Sequence, residues 1–233
     1  MLCTGIIGAL SCEIDLIIEE MMINDIREVA GIKFYSGTIK EMKVVVACSG
    51  VGKVNAAVCT QILINIFKVK YIINTGVAGA ISENLDIGDM VVSRDVTYHD
   101  VQVLQMINIF PFTQFFQADD LLVKIAQKVC EKNPQIIDKY FIGRIASGEA
   151  FIDDSEQKRR IKEELDADCV EMEGAAIGHV AYINNIPFIV IRSISDKANE
   201  EATINFEEFA INAAKKSSQI VIAILAELMK SNL

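Results

Sequence analysis

Short continuous apolar runs alternate along this chain with stretches in which apolar residues recur at helical spacing. Residues 2–10, LCTGIIGAL, read as a buried strand with Gly8 close to its exit, and Ser11-Cys12-Glu13 leads into a helix over Ile14 to about Met22. Two strands follow, Ile32–Ile39 and Lys43–Cys48, the second strongly β-branched. Ser49-Gly50-Val51-Gly52-Lys53 is a turn opening a helix whose apolar positions Val54, Ala57, Val58, Ile62 and Ile66 are interrupted by Gln61. Tyr71–Gly76 predicts a strand running into a glycine turn, GVAGA.

The second half repeats the alternation. Asp89–Tyr98 predicts a strand, and Gln117–Lys132 an amphipathic helix with Leu121, Leu122, Ile125, Ala126 and Val129 on one side. Lys139–Ser147 reads as a strand ending in SGEAF, Asp154–Leu165 as a charged surface helix, and Gly174–Ile183 as a buried one. Pro187–Ile191 is an apolar strand ending in RSISD, and Asn205 to Met229 carries a helical stripe that includes Phe206, Phe209, Ala213 and Ile220.

Strands interleaved with helices predict an α/β fold. The expected architecture is one layered domain over residues 1–233, with a central mixed, largely parallel twisted sheet flanked by helices. In such folds ligands bind beyond the carboxyl ends of strands. Four strands end in small or acidic residues (GAL-SCE, NTGVAGA, ASGEAF and RSISD), so their exits are expected to gather around one pocket.

Composition narrows the partners. With 52% apolar residues the chain can bury a sizeable core, and its net charge of −10 argues against nucleic acid. The densest basic run, Lys158-Arg159-Arg160, is followed by Glu163 and Glu164 and reads as a solvated helix face. The six cysteines form no CxxC pair and no metal-ligand spacing, which fits reduced thiols, a cytoplasmic location, no metal and no cofactor. The N-terminus has no basic region before its apolar residues, and no uncharged apolar span is long enough for a membrane helix. The uncharged run Val101–Ala118 holds four of the eleven phenylalanines and is expected to form a subunit interface, with part of it roofing the site.

The stretch CVEMEGAAIGHVAY, Cys169 to Tyr182, sets Glu171 and Glu173 among apolar and small residues. If the backbone is extended there the two carboxylates share one side, and if it is helical they point about 200° apart. A buried ionised carboxylate needs a partner, so at least one is expected to be held for a purpose. Asp196 is either a capping or turn residue or an acid held in a pocket with a raised pKa; Glu13 is either a helix-start carboxylate or a base. The loop Ser49–Lys53 fails the P-loop pattern, because Ala47 and Val54 stand where Gly and Ser/Thr are needed, and Asn55 breaks a dinucleotide fingerprint. His99 and His179 form no triad or metal cluster, and His179 reads as a near-core residue.

GIIGAL-x-x-E, SGVGKVNAA, NTGVAGA, SGEAFI, VEMEGAAIGHVA and RSISDKA, in this order and at these spacings, resemble the 5′-methylthioadenosine/S-adenosylhomocysteine nucleosidases of the nucleoside phosphorylase superfamily. The resemblance runs from about Gly5 to the C-terminal helix. It implies hydrolysis of the N-ribosyl bond, with Asp196 protonating adenine N7, Ser195 placing it, Glu13 activating a water and Arg192 holding that water and the carboxylates. Glu173 would bond the ribose 3′-hydroxyl, with Glu171 and Met172 beside the ribose. Phe151 would stack on adenine and the Ile152 backbone read its edge, while Ala9, Leu10, Val51 and Phe206 line the ribose and alkylthio tail. Val77 stands where many members have Ser. The resemblance also implies a homodimer in which the partner's residues near Leu104–Phe112 close the tail pocket. A phosphorylase of the same superfamily, a nucleosidase for 5′-deoxyadenosine or a futalosine-type nucleoside, and a non-catalytic nucleoside-binding protein are the alternatives.

Overall fold

The computed structural model describes residues 3–231. β1 (Cys3–Gly8) leads through a 3-10 turn (Ser11–Glu13) into α1 (Asp15–Glu19). The helix expected as far as Met22 is therefore barely more than one turn. After it β2 (Met22–Val29) and β3 (Ile32–Ile39) pair antiparallel, and β3 pairs antiparallel with β4 (Met42–Cys48). β2 is exposed along nearly its whole length, as an edge strand solvated on both faces, and so has no apolar alternation to announce it.

α2 (Lys53–Asn65), β5 (Tyr71–Ala80) and β6 (Met90–Tyr98) follow, then α3 (Val103–Asn108), the short β7 (Phe116–Gln117) and α4 (Asp120–Lys132). The last third comprises β8 (Tyr140–Ser147), α5 (Ser155–Leu165), β9 (Cys169–Glu171), α6 (Gly174–Ile183), β10 (Phe188–Asp196) and α7 (Ala202–Ser231). The Asp119 side chain caps α4 by accepting from the Leu121 and Leu122 amides, and Asp154 caps α5 by accepting from Gln157.

The sheet is mixed, as expected, and runs in the order β10-β6-β8-β9-β5-β1-β4-β3-β2. β10 also pairs in parallel with β5, so β5, β10, β6, β8 and β9 close into a ring from which β1 to β4 extend as a wing. Alternation along one strand carries no information about this closure. One apolar layer packs α2 and α6 on the sheet through residues such as Cys59, Leu63, Ile177 and Ala181. The other packs α1, α4 and α7 through Ile17, Leu122, Ile125, Ile220 and Leu228.

Two further expectations change. The buried face of α2 is Ala56, Cys59, Thr60 and Leu63, whereas Val54, Val58 and Ile66 are exposed. The helix carries apolar residues on most sides, so their spacing alone does not single out the buried face. GVAGA is not a turn. β5 continues through Ala80, with Gly79 opposite Val170 on one side and Asp196 on the other. Its glycines answer to space: a Cβ on Gly76 would overlap Arg192 and Glu13, and one on Gly79 would lie 2.6 Å from the Asp196 carboxylate.

Candidate active site

The exits of β1, β5, β8, β9 and β10 converge on one cleft, lined by apolar side chains around a few convergent polar groups. The 3-10 turn after β1 folds Glu13 back over the strand's end, where it is 2% exposed. Its Oε2 accepts from the Ala9 and Leu10 amides at 2.7 and 2.9 Å, and its Oε1 accepts from the Val77 amide at 3.0 Å. Burial raises its pKa, opposed by the Arg192 charge and these three amides.

Arg192, 1% exposed on β10, is the hub. Its Nη2 donates to Glu171, to Asn74 Oδ1 at 2.8 Å and to Glu173 Oε2 at 3.3 Å, while Nη1 lies 3.7 Å from Glu13 Oε1. Three buried carboxylates thus share one guanidinium, and the cluster carries excess negative charge when all are ionised. Burial pushes Glu173 up to about 7, with the Glu171 charge adding and Arg192 opposing.

The two glutamates of the VEMEG stretch divide their tasks. β9 ends at Glu171 and α6 begins at Gly174, so the backbone bends between them. Glu171 accepts from Ser147 Oγ and from the Glu173 and Gly174 amides at 3.1 and 2.7 Å, which closes off free donors at the start of α6. Glu173 Oε1 accepts from the Gly52 amide at 2.8 Å. The Gly52 amide of the Ser49–Lys53 turn thus holds a carboxylate of the protein itself. Gly50 and Gly52 have φ of +80° and +99°, a backbone that favours glycine.

Asp196 ends β10 on another wall. Its Oδ1 accepts from the Ala198 amide at 2.9 Å, and its Oδ2 is 2.9 Å from Ser195 Oγ, which also reaches the Ala78 carbonyl at 3.4 Å. The turn contact and the pocket position expected as alternatives occur together. Burial raises its pKa, opposed by the Ala198 amide and the Ser195 hydroxyl. An acid so placed can hold its proton to higher pH than a solvated aspartate.

The remaining wall is apolar. Phe151 (41% exposed) and Phe206 meet edge to face at 5.7 Å, with Ala9, Leu10, Val51, Ile152 and Met172 around them. Val77 contributes backbone to Glu13, and its side chain packs with Cys12, Phe206, Ala213 and Ala214. Every site residue that the resemblance implied for this chain's own cleft lies on it, whereas no residue of Val101–Ala118, expected in part to roof the site, lines it within the one protomer. Sequence reasoning missed Asn74 and Ser147, which orient Arg192 and Glu171; an Asn inside the apolar YIIN strand was the available signal for the first. His179 lies elsewhere, stacked on Phe116 at 4.6 Å and hydrogen-bonded to Tyr98, as its near-core reading required. Among the described residues, no helix is long and apolar enough to cross a membrane.

Comparison with known proteins gives the same outline. Residues 4–226 match the model of the phosphorylase superfamily. A Staphylococcus carnosus 5′-methylthioadenosine/S-adenosylhomocysteine nucleosidase is 44% identical, covering 96% of this chain and 99% of its own. A Colwellia psychrerythraea nucleosidase of the same name, solved with adenine, is 38% identical over 97% of this chain and 96% of its own, with a TM-score of 0.92. The futalosine hydrolase of Helicobacter pylori is 31% identical over 97% of this chain and 98% of its own, with a TM-score of 0.90. This chain belongs to the phosphorylase superfamily and, within it, to the 5′-methylthioadenosine/S-adenosylhomocysteine nucleosidase family.

Proposed function

We propose that the chain hydrolyses the N-glycosidic bond of 5′-methylthioadenosine and S-adenosylhomocysteine, releasing adenine and the 5-thioribose product. Protonated Asp196 donates to adenine N7 and makes the base a better leaving group; its raised pKa and the Ser195 hydroxyl support that role. As the bond lengthens, positive charge develops on the ribosyl ring. The carboxylate excess around Arg192 favours that charge. Glu173 binds the ribose 3′-hydroxyl, and Glu13 takes a proton from the water that attacks the anomeric carbon, much as paired carboxylates divide the work in glycoside hydrolysis. Phe151 stacks on the base, the Ile152 backbone meets its edge, and Phe206 with Val51 flanks the tail.

The observation that carries hydrolysis over phosphorolysis is the state of Arg192. Among the described residues it is the only cationic side chain on the cleft wall; its Nη2 is taken by Glu171, Asn74 and Glu173, and its Nη1 faces the Val77 carbonyl and Glu13. A phosphate dianion would meet three carboxylates around that single guanidinium. Adenine release should be measured with and without phosphate and the sugar product identified. Phosphate-independent free methylthioribose is the expected result, and methylthioribose 1-phosphate would overturn the reading.

The active form in this proposal is a homodimer. Leu104 (74% exposed), Ile109, Phe110 and Phe112 (66%) stand out from the surface of the 101–116 segment, and Val54 and Val58 of α2 are exposed as well. Apolar surface of this kind is what a second subunit covers. Strands from both ends of the chain line the cleft, which supports residues 1–233 as a single catalytic domain. A cytoplasmic location fits six cysteines with no disulfide among them.

A further inference from the structure

Three loops meet at the rim of the cleft, away from the reacting bond. Lys53 opens α2, Asp100 follows β6, and Glu149 follows β8, two residues before Phe151. Their contacts form a closed ring. The Lys53 ammonium donates to both Asp100 oxygens at 2.7 Å, the Glu149 amide donates to Asp100 Oδ2 at 2.9 Å, and the Lys53 amide donates to Glu149 Oε1 at 2.9 Å. The Lys53 and Asp100 side chains are only 19% and 29% exposed, and the ammonium also sits 5.4 Å over the Tyr98 ring. Glu149 is exposed, so the shielding covers only the Lys53–Asp100 part of the ring; what holds the geometry is that each member has two of these charge-assisted bonds.

Neighbouring bonds tie the ring to both halves of the substrate site. The amide next to Lys53, that of Gly52, donates to Glu173 at 2.8 Å. Gly52 also leaves room for Glu149: a Cβ there would lie 2.8 Å from Glu149 Oε2. The α2 start thus binds the ribose carboxylate with one amide and the base-binding loop with the next.

We infer that Lys53, Asp100 and Glu149 are positioning residues that lock the Ala150–Ile152 base loop against the α2 start, so that the adenine and ribose sites keep a fixed relative geometry. The inference rests on the proposed nucleosidase reading and assigns the placement of its base-binding loop to groups that touch no substrate. Breaking the clasp lets the loop carrying Phe151 and Ile152 drift while Asp196 and Glu13 stay where they are.

The test is a cycle of Lys53→Met, Asp100→Asn and the double variant, with Lys53→Arg as the conservative control. KM, kcat, the pH profile and the dissociation constant of adenine are read for each. Each single variant is expected to raise KM and adenine's dissociation constant about two- to fivefold, with kcat less affected and the pH profile unmoved. The double variant should be no worse than either single, because both break one clasp. Lys53→Arg should retain most of the affinity. Folded variants that bind adenine like the wild type, or singles whose effects multiply in the double, would overturn the inference. If the Lys53 variants fail to fold, Glu149→Ala, which removes the acceptor of the Lys53 amide at an exposed position, carries the same expectation. Wild-type protein that binds adenine yet cleaves neither thioether would instead count against the nucleosidase reading, while adenine affinity would still report on the clasp.

Discussion

Glu13 and Arg192 come no closer than 3.7 Å, whereas Arg192 bonds Glu171 and Asn74 directly. Three backbone amides, not the guanidinium, hold the Glu13 carboxylate. Amides orient the group without fully neutralising it, which leaves a carboxylate able to take a proton. Glu13→Gln should therefore lower kcat by about 10²–10⁴-fold while substrate analogues still bind, because the exchange removes the base and keeps the volume. Single-turnover kinetics beside analogue titration checks this. A Gln variant at wild-type rate would assign the base elsewhere.

Asp196→Asn removes the transferable proton and keeps the acceptor for the Ala198 amide. Turnover should fall by about 10²–10⁴-fold with binding of an adenosine thioether measurable by calorimetry. Undiminished turnover would remove Asp196 from the mechanism.

Asp196 must be protonated and Glu13 ionised in the same enzyme molecule, and both pKa values are raised by burial. The pH profile of kcat/KM should therefore be bell-shaped, its two limbs belonging to the Glu13–Asp196 pair and both displaced upward from the range of solvated carboxylates. A profile that keeps rising through alkaline pH would contradict the acid assignment.

The fold was legible where burial leaves a one-dimensional trace. Val44–Cys48, Tyr71–Gly76 and the α4 stripe of Leu122, Ile125 and Val129 announced themselves through period and β-branching. β2 did not, because an edge strand solvated on both faces reads as loop. The site was legible through its carboxylates, which stand out in apolar surroundings. The partners that aim them, Asn74, Ser147 and the Gly52 amide, were not, because they are polar groups ordinary in isolation that matter only once strands far apart in sequence are neighbours. Gly76 and Gly79 misled in a specific way: local reasoning reads glycine pairs as turns, while here they vacate space for side chains arriving from β10 and from the turn after β1.

Glu173, with its pKa raised to about 7 from an ordinary 4.5, makes a prediction about stability. A carboxyl that binds its proton more tightly when folded stabilises the fold fully below pH 4.5, and that contribution is lost as pH rises through 7. Glu173→Gln removes this dependence. The Tm difference, variant minus wild type, should be more positive at pH 8 than at pH 5 by calorimetry in matched salt. A difference constant with pH would mean that Glu173 is not held against its charge.

The space vacated at Gly76 gives the last prediction. A methyl group there collides with Arg192 and Glu13 at once, in a strand buried along almost all its length. The side chains cannot yield cheaply, since Arg192 is tied to Asn74 and Glu171, and Glu13 to the Ala9, Leu10 and Val77 amides. Gly76→Ala should cost about 1–3 kcal/mol of stability by denaturant unfolding and abolish turnover in whatever protein still folds. Gly79→Ala should behave differently. Its Cβ meets the Asp196 carboxylate at 2.6 Å and leaves the Arg192 cluster alone, so the displaced acid should shift the pH profile before stability falls. If the two alanine variants lost activity with the same pH profile and the same unfolding midpoint, the glycines would be serving the strand in general and not the two separate carboxylates they face.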